Sequence, residues 1–136
     1  MKKEYEKLFL EAKKARENAY AIYSNFKVGA SILLKDGNII SGFNIENSSY
    51  SLCNCAERNA MYRAYMEGYN KDDIITLLVL ADTNTPCSPC GACRQVMAEL
   101  LNPSTLVLLA NLKGEIKEVC VSELLPYAFS KEDLGK

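Results

Sequence analysis

No histidine occurs in the 136 residues. That removes any histidine-based proton shuttle and the commonest nitrogen ligand for a metal, so a metal site here has to be built from sulfur and carboxylate. Basic runs are missing too: none is longer than Lys2-Lys3 or Lys13-Lys14, and the formal net charge is −1. A phosphate-backbone footprint is therefore lacking, and no nucleic acid polymer is expected as a partner. The longest apolar run, Ile74 to Ala81 with one Thr, is far shorter than a bilayer-spanning helix requires. Met1 to Lys7 shows no apolar stretch of the signal-peptide kind. These absences predict a cytoplasmic protein with no membrane association. In that reducing compartment the six cysteines read as metal ligands and buried thiols rather than disulfides. The length fits one domain, residues 1–136, with a sizeable core, although domains this small often gain stability by oligomerising.

Hydrophobic periodicity outlines the elements. Tyr5, Leu8, Phe9, Ala12, Ala15, Ala19 and Ile22 recur at three- and four-residue spacing and predict an amphipathic helix over residues 3–21. Residues 27–34 and 38–43 predict a hairpin turning at Asp36-Gly37. Residues 55–67 have helical character, with Gly68 as the stop. The continuous apolar stretch 74–80 predicts a central strand covered on both faces. A helix over 91–101 and a strand over 105–110 complete a right-handed crossover unit with parallel strands. Lys113-Gly114 should turn the chain into a last strand near 115–119, after which Ser122 is expected to cap a short helix. The predicted fold class is α/β, a three-layer α/β/α arrangement around a mixed sheet of about five strands.

Chemistry concentrates in two blocks, Cys53-Asn54-Cys55-Ala56-Glu57-Arg58 and Ser88-Pro89-Cys90-Gly91-Ala92-Cys93-Arg94-Gln95. A structural zinc site closes its tetrahedron with four protein ligands, whereas a catalytic one uses three and leaves a position open. Cys55, Cys90 and Cys93 are three. Glu57, two residues from Cys55 at a helix start, is badly placed to be a fourth ligand but can carry protons beside the metal. The order and spacing match the zinc nucleobase deaminase pattern, with Cys55 in the first ligand's place and Glu57 as general acid/base. Each ligand lies at a predicted helix start, where free N–H groups favour thiolate. Three thiolates around Zn2+ leave a formal charge of about −1. Arg58, on the same turn as Cys55, is placed to donate to the sulfurs; a surface ion pair is its plainer reading. Cys87-x2-Cys90-x2-Cys93 superficially suggests an iron–sulfur run, but the fourth position is Met97. Cys53 and Cys87 read as thiols near the site that bind no metal, and Cys120 as a small core residue.

With the upstream Gly42-Phe43-Asn44-Ile45-Glu46-Asn47, these blocks closely resemble the short homotetrameric cytidine deaminases, over about residues 20–134. The resemblance implies one Zn2+ per chain and hydrolytic loss of ammonia from C4 of cytidine or 2′-deoxycytidine, in pyrimidine salvage. Glu57 would pass protons to ring N3 and to the departing amino group. It also implies that Asn44 and Glu46 hold ribose hydroxyls, that the Ala56 N–H meets the base carbonyl, and that Phe26 packs on the base. Phe129 would reach a neighbouring subunit's site in a homotetramer with shared active sites, and Tyr50 would line the same cleft. Arg58 is implied to compensate the sulfur charge. Two other readings stay open: a blasticidin-type or other small aminohydrolase sharing the same blocks, and a non-catalytic zinc module closed by Cys53 or Cys87. Glu57 argues against the second, since a structural site has no use for an unligated acid.

Overall fold

The computed structural model describes residues 1–136. Its strands are β1 (Val28–Leu34), β2 (Ile39–Phe43), β3 (Ile74–Ala81), β4 (Leu106–Asn111) and β5 (Ile116–Cys120). The helices are α1 (Glu6–Arg16), α2 (Ala56–Met66), α3 (Gly91–Leu100) and α4 (Val121–Leu124). All five strands form one sheet, mixed as the sequence predicts, in the order β2-β1-β3-β4-β5.

The hairpin closes as expected. Gly37 takes φ 89°, a left-handed value that costs a side-chain-bearing residue energy, and Asp36 accepts from the Asn38 N–H at 3.0 Å. β3 pairs antiparallel with β1 and parallel with β4, and α3 is the crossover between β3 and β4. Because side chains alternate across a strand, β3 feeds two cores. Leu78 and Leu80, with Leu108 and Ala110, pack on Leu8, Phe9 and Ala12 of α1 and on Tyr5 just before it. Leu77, Val79 and Ala81 pack on the other side with Ala56, Ala60, Met61 and Ala64 of α2 and Cys93 and Met97 of α3. The helix layer that carries the cysteines is thus fixed to the most buried strand.

Three local expectations are corrected. The first helix does not run over 3–21: a 3-10 turn at Lys3–Tyr5 leads into α1, which stops at Arg16. Beyond it Tyr20 donates to the Asn44 carbonyl at 2.9 Å and accepts from the Glu46 N–H at 2.8 Å, a long-range bridge that competes with further helix. Ile22, on the apolar stripe by spacing, is exposed. Ser122 does not cap α4; Cys120 does, with the Glu123 carboxylate accepting the Cys120 N–H at 3.0 Å. Cys120 is accordingly a half-buried cap residue and not a core residue.

Tyr127 has φ 56° and a fully exposed side chain. The left-handed region disfavours a residue with a Cβ by about 1–2 kcal/mol, while glycine loses roughly 0.5–1 kcal/mol more chain entropy on folding. Tyr127→Gly should therefore gain a few tenths to about 1 kcal/mol, read as a thermal midpoint higher by a few degrees. A lower midpoint would mean that the tyrosine ring is held by contacts that outweigh the strain.

Candidate active site

Two helix starts bring the cysteines together. Cys55 is the N-cap of α2 and Cys90 the N-cap of α3; Cys93 follows on the first turn of α3, buried, with its N–H 3.5 Å from Cys90 Sγ. The three Sγ atoms lie within 4.8 Å of one another, Cys55 and Cys90 at 3.9 Å. Tetrahedral zinc with Zn–S near 2.3 Å separates its sulfurs by about 3.8 Å, so the donor set fits zinc in both chemistry and spacing. Both caps sit at helix N-termini, whose positive dipole ends favour thiolate.

The electrostatics follow from the packing. A hydrogen bond from the Cys93 thiol and the Arg58 guanidinium hold the Cys55 thiol down, to about 5, against the opposing effect of burial. Cys93 is pushed up by its hydrogen bond to Cys55, for which it must stay protonated, and by burial. Arg58 Nη2 donates to Cys55 Sγ at 3.3 Å, the contact expected of it from its place on the turn. Glu57 is 4% exposed, and burial pushes its carboxyl up to about 7.

The cluster opens on a cavity of about 320 Å³. Cys55, Glu57 and Cys90 line it together with Phe26, Asn44 and Glu46, so the two motif blocks and the Asn-x-Glu segment meet in one cleft. It runs from the buried Glu57 to the exposed ring of Phe26. Glu46 is anchored from the far side. Its carboxylate accepts the N–H groups of Tyr23 and Ser24 at 3.0 and 3.1 Å and the Ser24 hydroxyl, bonds that keep it below the usual carboxylate range. Asn44 accepts from the Val28 N–H at 2.9 Å and donates to the Phe26 carbonyl at 2.8 Å, which leaves one N–H and one lone pair of its amide uncommitted.

The side chains of three expected site residues do not line the cleft within this chain. Tyr50 lines an adjoining recess with Tyr23, Ser24, Glu46 and Cys53, its ring edge-on to Tyr23 with centroids 6.2 Å apart. Ala56 is fully buried at the start of α2, and its side chain does not line the cleft. Phe129 is exposed on the C-terminal tail, held by Gln95 Nε2 donating to its carbonyl at 2.8 Å. Cys53 and Cys87 both line the cleft, and burial raises the Cys87 thiol to about 11.

Sequence reasoning missed Ser24 and Asn54, both cleft-lining, and the work of Arg94. Arg94 donates to the Pro89 carbonyl, the Leu124 carbonyl and the Ser88 hydroxyl at 2.9, 2.9 and 2.7 Å, clamping the loop that delivers Cys90. Pro89 and Ser88 are near Arg94 in sequence, but no local spacing signals the bond to Leu124, 30 residues away.

Comparison with known proteins agrees with this geometry. Residues 2–109 match the family model described as the cytidine and deoxycytidylate deaminase zinc-binding region. A cytidine deaminase of Halalkalibacterium halodurans is 57% identical over 128 residues, covering 94% of this chain and 96% of that protein. One from Sporosarcina psychrophila is 58% identical, covering 96% and 94%. The crystal structure of cytidine deaminase from Burkholderia pseudomallei superposes with a TM-score of 0.89 at 47% identity, covering 95% of this chain and all of that one. Site geometry, sequence match and fold together place the chain in the cytidine and deoxycytidylate deaminase family.

Proposed function

We propose that this protein is a hydrolase that converts cytidine and 2′-deoxycytidine to uridine and 2′-deoxyuridine, in pyrimidine salvage. The observation that carries this reading is the buried Glu57 beside a three-thiol cluster in a cleft that also holds a carboxylate, Glu46, suited to sugar hydroxyls. No lysine or arginine lines that cleft, which favours a nucleoside over a nucleotide, whose phosphate would need a cation.

Cys55, Cys90 and Cys93 would hold one zinc ion. When bound, zinc lowers the pKa of water from about 15.7 toward 7 and so supplies a nucleophile at neutral pH. Glu57 takes the proton released as water adds at C4 and delivers it to ring N3; it then takes the second proton, from the hydroxyl now on C4, and gives it to the amino nitrogen, which leaves as ammonia as the C4 carbonyl forms. Arg58 spreads the negative charge of the sulfurs through its hydrogen bond to Cys55. Phe26 supports the base, and Asn44 and Glu46 orient the ribose with the polar atoms left free by their own anchoring bonds. The Ala56 N–H, at the open end of α2, is available to the base carbonyl.

The single domain over residues 1–136 would work as a homotetramer in the cytoplasm. Exposed Phe129 and Tyr50 would complete the cleft of a neighbouring copy. No helix is long and apolar enough to cross a membrane. Loss of the cytidine absorbance band by metal-quantified protein, with no turnover of cytidine monophosphate, is the expected result. Absence of cytidine turnover at about one zinc per chain would overturn the activity. A monomer by light scattering would overturn the shared site.

A further inference from the structure

We infer that Asn59, outside the cleft, is the positioning residue that keeps the sugar-holding segment in register with the helix that carries Cys55 and Glu57. The inference rests on the nucleoside reading above and names the part of the chain that sets its affinity. Asn59 lies on α2, where its N–H closes a helical bond to the Cys55 carbonyl at 3.0 Å. Its side chain leaves the helix. Nδ2 donates to the carbonyl of Phe43, the last residue of β2, at 2.8 Å. Oδ1 accepts from Asn54 Nδ2 at 2.6 Å.

Each partner leads to the cleft. Phe43 immediately precedes Asn44, and two residues later comes Glu46; both line the cavity. Asn54 lines it as well, and its backbone exchanges two hydrogen bonds with Ile45, at 3.0 and 2.9 Å. The segment from Phe43 to Glu46 is thus fastened to the segment from Asn54 to Asn59 by the backbone pair and by the one amide of Asn59.

The chemistry of that amide also fixes a polarity. The Phe43 carbonyl can only accept, so Asn59 must present Nδ2 to it and Oδ1 to Asn54. Asn54 must then donate, which leaves its own Oδ1 and its second N–H uncommitted on a cleft-lining residue. An aspartate at position 59 could still accept from Asn54 but would set a carboxylate oxygen against the Phe43 carbonyl. An alanine would leave both partners unpaired.

Steady-state kinetics with cytidine, zinc quantification and amide hydrogen exchange on the ligand-free protein test this. Asn59→Ala should raise KM about tenfold, the size expected for stranding hydrogen-bonding groups that had been paired. The value of kcat should stay within about threefold, and zinc content should be unchanged. Asn59→Asp should match alanine. In a Glu46→Ala background the same Asn59→Ala change should raise KM by less than about threefold, because the segment it positions no longer holds the sugar. Exchange at the Ile45 and Asn54 amides should quicken, while the amides of β3 stay protected.

An equal KM increase in both backgrounds, a fall in kcat with KM unchanged, or unaltered exchange at Ile45 and Asn54 would each overturn the inference. Should Asn59→Ala not fold, Asn54→Ala breaks only the cleft-side link and should give the same KM-weighted effect at smaller size; a kcat-weighted effect would overturn it. The exchange readout needs no substrate, so it separates failure of the tie from failure of the nucleoside reading.

Discussion

Glu57→Gln should leave about one zinc per chain and lower cytidine turnover by at least the roughly 10²–10⁴-fold that general acid/base catalysis contributes. The substitution keeps the shape of the side chain. Glu57 is 4% exposed and packed on the first turn of α2, so an amide of equal volume fits the same space. The three sulfurs belong to other residues, held by two helix N-termini and by Arg58, and their geometry does not depend on the charge of Glu57. What the amide loses is the capacity to take two protons in turn and return each to a different nitrogen. Zinc content by metal analysis, beside kcat from the absorbance change, checks both halves. Activity within a few-fold of the unaltered protein would place the proton carrier elsewhere. Loss of zinc along with activity would show that Glu57 supports the metal and not only the proton transfers.

The two motif blocks were readable because their information is local. Cys55 and Glu57 are two residues apart, Cys90 and Cys93 three, and helix starts are marked by short-range signals, so spacing alone brings ligands and acid to one end of two helices. The central strand was readable for a similar reason: an apolar run from Ile74 interrupted only by Thr76 has one natural place, covered on both faces. What escaped depends on pairs far apart in sequence. α1 ends early because Tyr20 bridges to Asn44 and Glu46, a preference no helical periodicity reveals. Ser24 matters through Glu46, Arg94 through Leu124, and Asn59 through Phe43. Each of these residues is polar and unremarkable in its own window. Cys120 belongs with them, since a cysteine at a strand end looks like core until Glu123 turns back onto its N–H.

Gly42→Ala should damage stability and site together, whereas Gly29→Ala should damage stability alone. A Cβ at Gly42 would stand 2.6 Å from the Ala60 nitrogen and 2.8 Å from the Ala56 carbonyl oxygen. Both are backbone atoms of α2, so no rotamer change relieves the overlap and the helix itself must shift from β2. Overpacking of this kind typically costs about 1–3 kcal/mol. The displaced helix begins at Cys55 and carries Glu57 and Arg58, and Asn59 ties it to Phe43, the residue after Gly42. Folded Gly42→Ala protein should therefore show weaker zinc retention against a chelator and a lower kcat, beside a lower denaturant midpoint. At Gly29 the added Cβ would meet the Ala12 carbonyl oxygen at 2.0 Å and the Arg16 nitrogen at 2.9 Å, a harsher overlap on the opposite face of the sheet. There α1 must give way, and α1 carries no ligand and lines no part of the cleft. The midpoint should fall further than for Gly42→Ala, while the folded fraction keeps zinc affinity and kcat near those of the unaltered protein. Equal losses of zinc in both variants would mean that the sheet transmits strain between its faces and that α2 is not the specific carrier of the site.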